Sequence, residues 1–225
     1  NIWTSSNSGA TWTKDTSVGA TKHWYRITSS ADGTKLAATM NGGNIWTSSN
    51  SGATWTEDTS VGAMKSWFGI TSSADGTKLA AVSRGGNIWT SSNSGATWTE
   101  VTSIGATKNW LVITSSADGT KLAAVVQNDN IWTSSNSGAT WTEVTSIGAT
   151  KGWVTITSSA DGTKLAAGVW GGNIWTSSDS GATWTEDTSV GATKQWVSIT
   201  SSADGTKWAA VVSGGNIWTK TEETT

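Results

Sequence analysis

Short stretches of apolar and β-branched residues alternate with small polar turns along the whole chain. In the first 43 residues, segments 2–6, 11–15, 24–29 and 34–40 are rich in Thr, Ile, Val and Trp. Such residues favour strands, and no segment has the period of about 3.6 residues that marks a helix. The last two segments are joined by Ala31-Asp32-Gly33, and Asp-Gly is a strong hairpin signal. The pattern predicts four short strands in each unit and an all-β chain.

The same unit recurs at a constant interval. The tetrapeptide Asn-Ile-Trp-Thr begins at every 43rd residue, namely at Asn1, Asn44, Asn87, Asn130, Asn173 and Asn216. Four strands in about 40–50 residues, repeated radially, are typical of a β-propeller blade, whereas a β-solenoid uses fewer residues per coil and needs capped ends. We therefore predict one domain, residues 1–225, an all-β five-bladed β-propeller of four-stranded antiparallel blades. Its repeats are 1–43, 44–86, 87–129, 130–172 and 173–215, followed by a partial copy, 216–225.

The two chain ends compete for one strand position. We name the strands of a blade A to D from the propeller axis outward, with residues 24–29 at A, 34–40 at B, 1–4 at C and 11–15 at D. The chain holds six candidates for C and five for each other position. Propellers remove their open edge by building one blade from both chain ends. We expect residues 1–4 to fill C and residues 216–225 to be displaced; the alternative closure uses 216–219 and displaces the first residues.

The turn between positions C and D carries a motif. Ser5-Ser6-Asn7-Ser8-Gly9-Ala10-Thr11-Trp12 resembles the Asp box (Ser-x-Asp-x-Gly-x-Thr-Trp) of the bacterial neuraminidase repeat, and it recurs in segments 48–55, 91–98, 134–141 and 177–184. Only Asp179 matches the Asp of the pattern, and the other four copies have Asn. The resemblance implies a propeller with Asp-box turns, in a family that includes sialidases and non-enzymatic propellers. Asn can accept the same local hydrogen bonds, so the motif is interpreted as a turn staple.

Composition narrows the possible functions. The formal net charge of −2, from 14 basic and 16 acidic residues, argues against nucleic acid binding. No apolar run is long enough for membrane insertion, and the absence of cysteine excludes disulfides and thiol catalysis. Sialidase chemistry would need three arginines, and the chain has only Arg26 and Arg84. We expect a monomer that is not an enzyme, with no catalytic residues, metal site or cofactor. Abundant Ser and Thr with few charges favour a secreted or cell-surface protein.

The five repeats differ from one another at few positions. Three columns of the repeat hold five different residues: His23, Ser66, Asn109, Gly152, Gln195; then Arg26, Gly69, Val112, Thr155, Ser198; then Asn41, Arg84, Gln127, Trp170, Ser213. Because the Asp-Gly hairpin is antiparallel, residues 23–26 should lie beside residues 38–41, on the rim of the channel mouth. Neutral drift or adjustment of ring packing would be the alternative explanation. The candidate ligand-binding residues are His23, Tyr25, Arg26, Asn41, Ser66, Phe68, Arg84, Asn109, Gln127, Thr155, Trp170, Gln195, Ser198 and Ser213.

Other repeated residues have structural explanations as well as functional ones. The lysine column of Lys22 could attract an anionic ligand or simply keep the face solvated. The aspartate column of Asp32 could collect a cation, but Asp is also the residue that this turn prefers. Two tryptophans break the repeat: Trp170, a candidate for stacking on a ligand, and Trp208, which replaces a leucine at an expected core position.

Three functions remain open. A rim that differs in every blade favours a non-enzymatic binding propeller that recognises one asymmetric partner, a protein or a glycan. A lectin with one sugar site per blade would instead be expected to repeat its ligand contacts. The third possibility is a designed or reconstructed scaffold without a natural ligand.

Overall fold

The computed structural model describes residues 1–19, 21–62 and 64–221, and within them all regular structure is β-strand. Strand bounds, in chain order, are β1 Trp3–Thr4, β2 Thr13–Lys14, β3 Trp24–Ser29, β4 Leu36–Gly43, β5 Ile45–Ser48, β6 Thr56–Asp58, β7 Lys65–Ser72, β8 Leu79–Gly86, β9 Ile88–Ser91, β10 Thr99–Val101, β11 Lys108–Ser115, β12 Leu122–Asp129, β13 Ile131–Ser134, β14 Thr142–Val144, β15 Lys151–Ser158, β16 Leu165–Gly172, β17 Ile174–Ser177, β18 Thr185–Asp187, β19 Lys194–Ser201, β20 Lys207–Val212 and β21 Ile217–Thr221. The predicted all-β chain of repeated four-stranded antiparallel units is confirmed.

Four blades are complete. Blade 1 is β3 to β6, blade 2 is β7 to β10, blade 3 is β11 to β14 and blade 4 is β15 to β18, and in each of them strands A to D pair in antiparallel order. Blade 5 has three strands, β19 to β21. The pair β1 and β2, called the N-terminal hairpin below, forms a separate two-stranded sheet.

Neighbouring blades are held together by apolar cores that lie between them. Between blades 2 and 3, Val82 and Ile88 of one blade pack with Trp110 and Ile113 of the next. All four side chains are almost completely buried. Because burial of apolar surface stabilises a fold by roughly 25 cal/mol per Å², these junctions stabilise the contact between neighbouring blades. The β-branched residues of strands B and C therefore hold the blades face to face.

The Asp-Gly turns staple each hairpin and connect it to the next blade. In blade 3 the Asp118 carboxylate accepts hydrogen bonds from the Ser116 hydroxyl and from the amide and hydroxyl of Thr120. The Lys78 ammonium of blade 2 donates to the carbonyl of Asp118 at 3.0 Å, and the amide of Ala117 donates to the carbonyl of Ala160 at 2.6 Å. The side chains and backbone groups of these turns thus form hydrogen bonds within their own blade and to the next one.

The box turns have the geometry of a staple. The Asn50 side chain accepts from the amide of Thr54 and donates to its hydroxyl, each at 2.9 Å, while the Ser48 hydroxyl accepts from the amide of Gly52 at 2.9 Å. Gly52 has a φ of +84°, which favours glycine, and Ser51 before it has a φ of +57°. The sequence interpretation of the motif as a turn staple matches these contacts.

The ring closure expected from the sequence is wrong. Residues 1–4 do not fill position C of blade 5, because β1 pairs with β2 in a separate sheet, and blade 5 therefore has three strands and not the predicted four. The strand at position C is that of the alternative closure, which uses residues 216–219. Residues 216–221 are not displaced: β21 fills position C of blade 5, with register partners from Lys207↔Thr221 to Val211↔Ile217. Residues 222–225, which the expectation also covered, lie outside the described residues. The strand is held by the repeated Ile-Trp-Thr sequence itself and by an ion pair of 2.8 Å from Lys220 to Asp187 of blade 4.

Blade 5 and blade 1 are not joined as the other blades are. Strand order follows a circular array, and four junctions carry a β-ladder, β4 to β7, β8 to β11, β12 to β15 and β16 to β19. Among the described residues no register pair links β20 to β3. Ile27 is accordingly 54% exposed, whereas its equivalents in the other blades, such as Ile70 and Ile113, are 8% and 4% exposed. We call the space between blades 5 and 1 the seam.

Candidate functional site on the variable rim

Strand pairing brings the first and third variable columns together. Within blade 1, Trp24 pairs with Met40, and the amide of Asn41 donates to the carbonyl of His23 at 3.0 Å. Across the junction to blade 2, Asn41 pairs with Ser66. The two columns are therefore neighbours both within a blade and between blades.

The pairing continues around one face of the ring. Arg84 pairs with Asn109, Gln127 with Gly152 and Trp170 with Gln195. In blade 5 the amide of Ser213 donates to the carbonyl of Gln195 at 2.9 Å. The first and third columns thus form one continuous string of residues, which we call the rim. It is interrupted at the seam, between Ser213 and His23.

The second variable column is not on the rim. A register shift between Trp24 and Arg26 puts a β-bulge at Tyr25, and the equivalent shift occurs in every blade. Since each bulge reverses the alternation of side chains, the following residue turns towards the next blade. Thr155, expected as a ligand contact, is 4% exposed, and its hydroxyl accepts from the amide of Ile199 at 3.2 Å. Thr155 therefore contributes to the packing between blades 4 and 5 and is not available to a ligand.

Other members of the second column are more accessible. Gly69 is buried against Val82 and the backbone of blade 3, whereas Arg26 and Ser198 are exposed. Ser198 occupies the face of blade 5 that borders the seam. Only Arg26 of this column stays close to the rim, because its guanidinium folds back to donate to the carbonyl of Tyr25 at 3.2 Å.

An aromatic and arginine cluster spans blades 1 and 2. The rings of Tyr25 and Phe68 lie 4.4 Å apart between centroids. The Arg26 guanidinium lies 4.8 Å from the Tyr25 ring, and that of Arg84 lies 5.5 Å from the Phe68 ring. Arg84 also donates to the Gln127 side chain at 3.0 Å. Among the described residues neither arginine pairs with a carboxylate, so both keep their positive charge available to a ligand.

The remaining rim candidates are distributed around the ring. His23, Asn41, Ser66, Asn109, Gln195 and Ser213 are exposed, Gln127 is half-buried, and Trp170 is 49% exposed on blade 4. Trp170 lies on the side of the ring away from the arginine cluster. The rim and the arginine and aromatic cluster beside it therefore offer a cationic, aromatic sector and a separate indole, joined by amide and hydroxyl side chains.

The lysine column has a packing role that the sequence did not reveal. In every blade the ammonium group lies over the indole of the strand C tryptophan, from 4.6 Å for Lys151 over Trp175 to 5.3 Å for Lys194 over Trp218. Lys108 also forms an ion pair of 2.9 Å with Asp129. Cation–π contacts of this kind stabilise a partly exposed lysine by about 0.5–1 kcal/mol. A tryptophan at the equivalent position of every blade accounts for the repeated lysine.

The aspartates on the opposite face are held by their own turns. The Ser116 hydroxyl, then the amide and hydroxyl of Thr120, lower the pKa of Asp118 to about 2. Asp32, Asp161 and Asp204 have the equivalent serine and threonine partners in their own turns, and these also lower the pKa of each to about 2. Across the described part of the chain, no three His, Asp or Glu side chains are grouped so that they could hold a metal ion.

The comparisons with known proteins found similarity in the fold and not in the sequence. No family model matches the sequence and no curated protein matches it. Among solved structures, the GH74 xyloglucanase of Xanthomonas campestris superposes with a TM-score of 0.67 and 16% identity, over 86% of this chain and 36% of its own. YCF48 bound to D1 peptide gives a TM-score of 0.66 and 14% identity, over 89% of this chain and 64% of its own.

A third similar structure is the β-propeller domain of Myceliophteria thermophila Cps50 (Swd1), with a TM-score of 0.69, 12% identity and coverage of 89% of this chain and 65% of that one. The chain thus spans about a third of the xyloglucanase and just under two thirds of the other two. At this level of identity the likeness concerns the fold alone. Among the described residues there is also no helix that could cross a membrane. The chain has the β-propeller fold that enzymes and binding proteins share.

Proposed function

We propose that this chain is a non-enzymatic recognition propeller of the Asp-box type that binds one protein or peptide partner across its rim. The observation that carries the proposal is the arrangement of the rim residues: the strand ladders join them into one string, and no two blades present the same set. Such a surface fits one asymmetric partner better than five identical ligands. Five in-phase box turns support the place among Asp-box propellers.

The chemistry of the rim favours a partner with an acidic segment. Within the described part of the chain, Arg26 and Arg84 have no carboxylate partner, and they lie against the rings of Tyr25 and Phe68. Such an arrangement can bind carboxylates of a partner while the rings contact the partner's other groups. His23, the only histidine, lies on the same sector. A peptide ligand is compatible with this fold, since YCF48, a structural neighbour, has been solved with a bound D1 peptide.

We also propose that the chain has no catalytic activity. The exposed carboxylates of the turn face are held in repeated staples with lowered pKa values, so none has the raised pKa of a general acid at neutral pH. His23 has no serine or cysteine nucleophile in any recognisable motif.

The test is a peptide array probed with the full-length protein. Peptides containing Asp and Glu would be paired with matched peptides carrying Asn and Gln. We expect binding to the acidic set, weakened by salt and abolished by Arg84→Ala together with Trp170→Ala. Ala117→Ser, on the turn face, is the matched control and should bind as the wild type does. Equal binding by the double variant would contradict the rim as the site.

A second candidate function has one observation in its favour. Between blades 2 and 3 a hollow of about 120 Å³ is lined by hydroxyl groups such as those of Thr71, Thr90 and Ser115. A similar hollow of about 180 Å³ lies between blades 4 and 5, beside Thr176 and Thr183. Repeated polar hollows are what a lectin with one site per blade would need. Binding on a glycan array that survives the rim double variant would favour this function.

A further inference from the structure

Three indole rings meet in the core of each of the first four blades. They come from strand A, from strand C and from the box turn, and they belong to the same apolar cluster in every one of these blades. In blade 3 the ring centroid of Trp110 lies 6.2 Å from that of Trp132 in strand C and 6.5 Å from that of Trp141 in the box. In blade 4 the box ring of Trp184 lies 6.5 Å from Trp153. The box turn thus supplies the third ring of the group.

Blade 5 has the first two of these rings without the third. Trp196 of strand A and Trp218 of strand C form the same edge-to-face pair, with centroids 6.4 Å apart and 75° between the ring planes. No box follows β21, because Lys220 stands where the box serine stands in the other repeats. The apolar cluster of blade 5 contains Trp208 of strand B, at the position of a repeated leucine, and no box tryptophan among its described members.

A cavity of about 240 Å³ lies between blades 4 and 5 beside these rings. Its mouth is at the exposed residues Ser189 and Lys220. Because an apolar cavity of about 150 Å³ is enough to bind benzene, this one has room for two fused rings. None of the residues that line it belongs to the rim. The buried residues of its wall include Ala166, Trp196, Trp208 and Ala210.

The polar groups around the cavity leave one hydrogen-bond donor without an acceptor. Trp208 is 7% exposed, and its Nε1–H has no partner among the described residues. Several repeated tryptophans share this feature, but Trp208 is the one among them that lines the cavity. At the mouth Lys220 pairs with Asp187 at 2.8 Å, and Asp187 also accepts from the amide of Ser189 at 2.9 Å. The two charges neutralise each other, so the cavity favours a neutral ligand that accepts a hydrogen bond.

We propose that this cavity is a binding site for a small, neutral heteroaromatic molecule of two fused rings that carries a hydrogen-bond acceptor. The ligand takes the place that the box indole takes in blades 1 to 4, against Trp196 and Trp218, and accepts the Nε1–H of Trp208. Aromatic rings pack favourably in such offset and edge-to-face groups. A buried donor that is left unpaired costs free energy, so the acceptor gives the site its selectivity.

The test compares quinoline with indole by isothermal titration calorimetry of the full chain at pH 8, where both molecules are neutral. They have a similar size, but the ring nitrogen of quinoline accepts a hydrogen bond and that of indole donates one. We expect one quinoline per chain, bound more tightly than indole by about threefold or more. Trp208→Phe keeps an aromatic ring without the N–H, so it should remove most of this difference. A preference for quinoline that is unchanged in Trp208→Phe would overturn the proposal.

The chain offers a matched variant in which the same place is filled. Trp184→Ala removes the box ring of blade 4 and should open a second site beside Trp153, which raises the stoichiometry from one molecule per chain to two. Leu165 stands there at the position of Trp208, so the second site should bind quinoline and indole equally. A stoichiometry that stays at one in folded Trp184→Ala would contradict the assignment of the cavity to the place of the box ring.

Two further variants locate the ligand. Ala210→Leu narrows the cavity from its buried wall and should abolish binding of both molecules. Arg84→Ala with Trp170→Ala should leave both affinities unchanged, which separates this site from the partner surface on the rim. Binding that Ala210→Leu leaves intact would overturn the proposal, since it would place the ligand on an exposed indole such as Trp12. So would the absence of saturable binding at millimolar quinoline.

Circular dichroism melts show that each variant is folded before its binding is scored. If Ala210→Leu does not fold, nuclear magnetic resonance of the wild-type chain replaces it. The indole N–H signal of Trp208, identified by its loss in Trp208→Phe, should move downfield when quinoline is added and forms the hydrogen bond. A signal that stays in place while quinoline binds would overturn the proposal.

Discussion

The face with the Asp-Gly turns and the face with the rim are the two ends of the same five hairpins. On the turn face, each blade repeats the contacts of Asp118, and Lys78 reaches the next blade's turn. On the rim, residues such as Asn109 and Gln195 are joined to their neighbours by strand pairing of the backbone, with no side-chain hydrogen bond among the described residues. The turn face uses its side chains to build the ring, and the rim leaves them available. Identical side chains therefore mark structure here, and differing ones mark a surface that the fold does not constrain.

The largest loss of stability should come from a box glycine on the structural side of this comparison. Gly138 has a φ of +86°, and a Cβ at this position would lie 2.7 Å from the Thr90 Cγ2. Gly138→Val combines backbone strain with a clash, and we expect it to cost about 3 kcal/mol of unfolding free energy. Urea denaturation gives the value directly.

Gly9→Val is the matched control for the clash. Gly9 has the same backbone strain, at φ +85°, but a Cβ there would meet only its own Trp12 at 4.0 Å. We expect a smaller cost of about 1–2 kcal/mol. Equal losses for the two variants would show that the contact with the neighbouring blade does not matter.

Acid should weaken the turn face. The pKa values of Asp32, Asp118, Asp161 and Asp204 are lowered to about 2 by serine and threonine hydrogen bonds. The unfolded chain, with an aspartate pKa of about 3.9, takes up protons first as the pH falls. The stability from these carboxylates is complete above about pH 4 and is lost as the pH falls to about 2.

Asp118→Asn provides the control for this pH dependence. The variant has one fewer titrating staple, so its urea midpoint should fall less between pH 5 and pH 2 than that of the wild type. A rim variant such as Asn109→Ala should keep the wild-type pH dependence. Identical slopes for Asp118→Asn and the wild type would contradict the assignment to the turn face.

The rim itself should tolerate change with little effect on stability. Arg84 and Trp170 are exposed, and Arg84 has one neutral hydrogen-bond partner, Gln127. We expect Arg84→Ala with Trp170→Ala to shift the unfolding free energy by less than about 0.5 kcal/mol while abolishing partner binding. A large fall in melting temperature with binding retained would assign these residues to the fold instead of the ligand.

Sequence reasoning succeeded where the repeat itself carries the information. Turns such as Asn50-Ser51-Gly52 and the pairing of residues 23–26 with 38–41 follow from turn chemistry and antiparallel geometry, both of which are local. It failed at Thr155, because a β-bulge at Val154 reverses the alternation and nothing in the residue types signals a bulge. It also failed for β21, because identical tetrapeptides cannot decide which copy pairs, and the contact of Lys220 with Asp187 joins residues far apart in the sequence.

The smallest effect is expected where the repeats differ inside a structural turn. In the box of blade 4, the amide and the hydroxyl of Thr183 both donate to the Asp179 carboxylate. In blade 3, Asn136 accepts from the amide of Thr140 at 2.9 Å and donates to its hydroxyl at 2.8 Å, so the threonine hydroxyl has only changed from donor to acceptor.

Asp179→Asn should therefore alter the unfolding free energy by less than about 0.5 kcal/mol at pH 7, as a urea denaturation curve would show. The Thr183 and Ser177 hydrogen bonds lower the pKa of Asp179 to about 2, so the wild-type turn weakens between about pH 4 and pH 2 while the asparagine turn does not. Relative to the wild type, the variant should gain stability as the pH falls through that range. A loss at pH 7 as large as that of Gly9→Val would mean that the four asparagine boxes are weaker staples, and that Asp179 holds blade 4 in a way the others do not share.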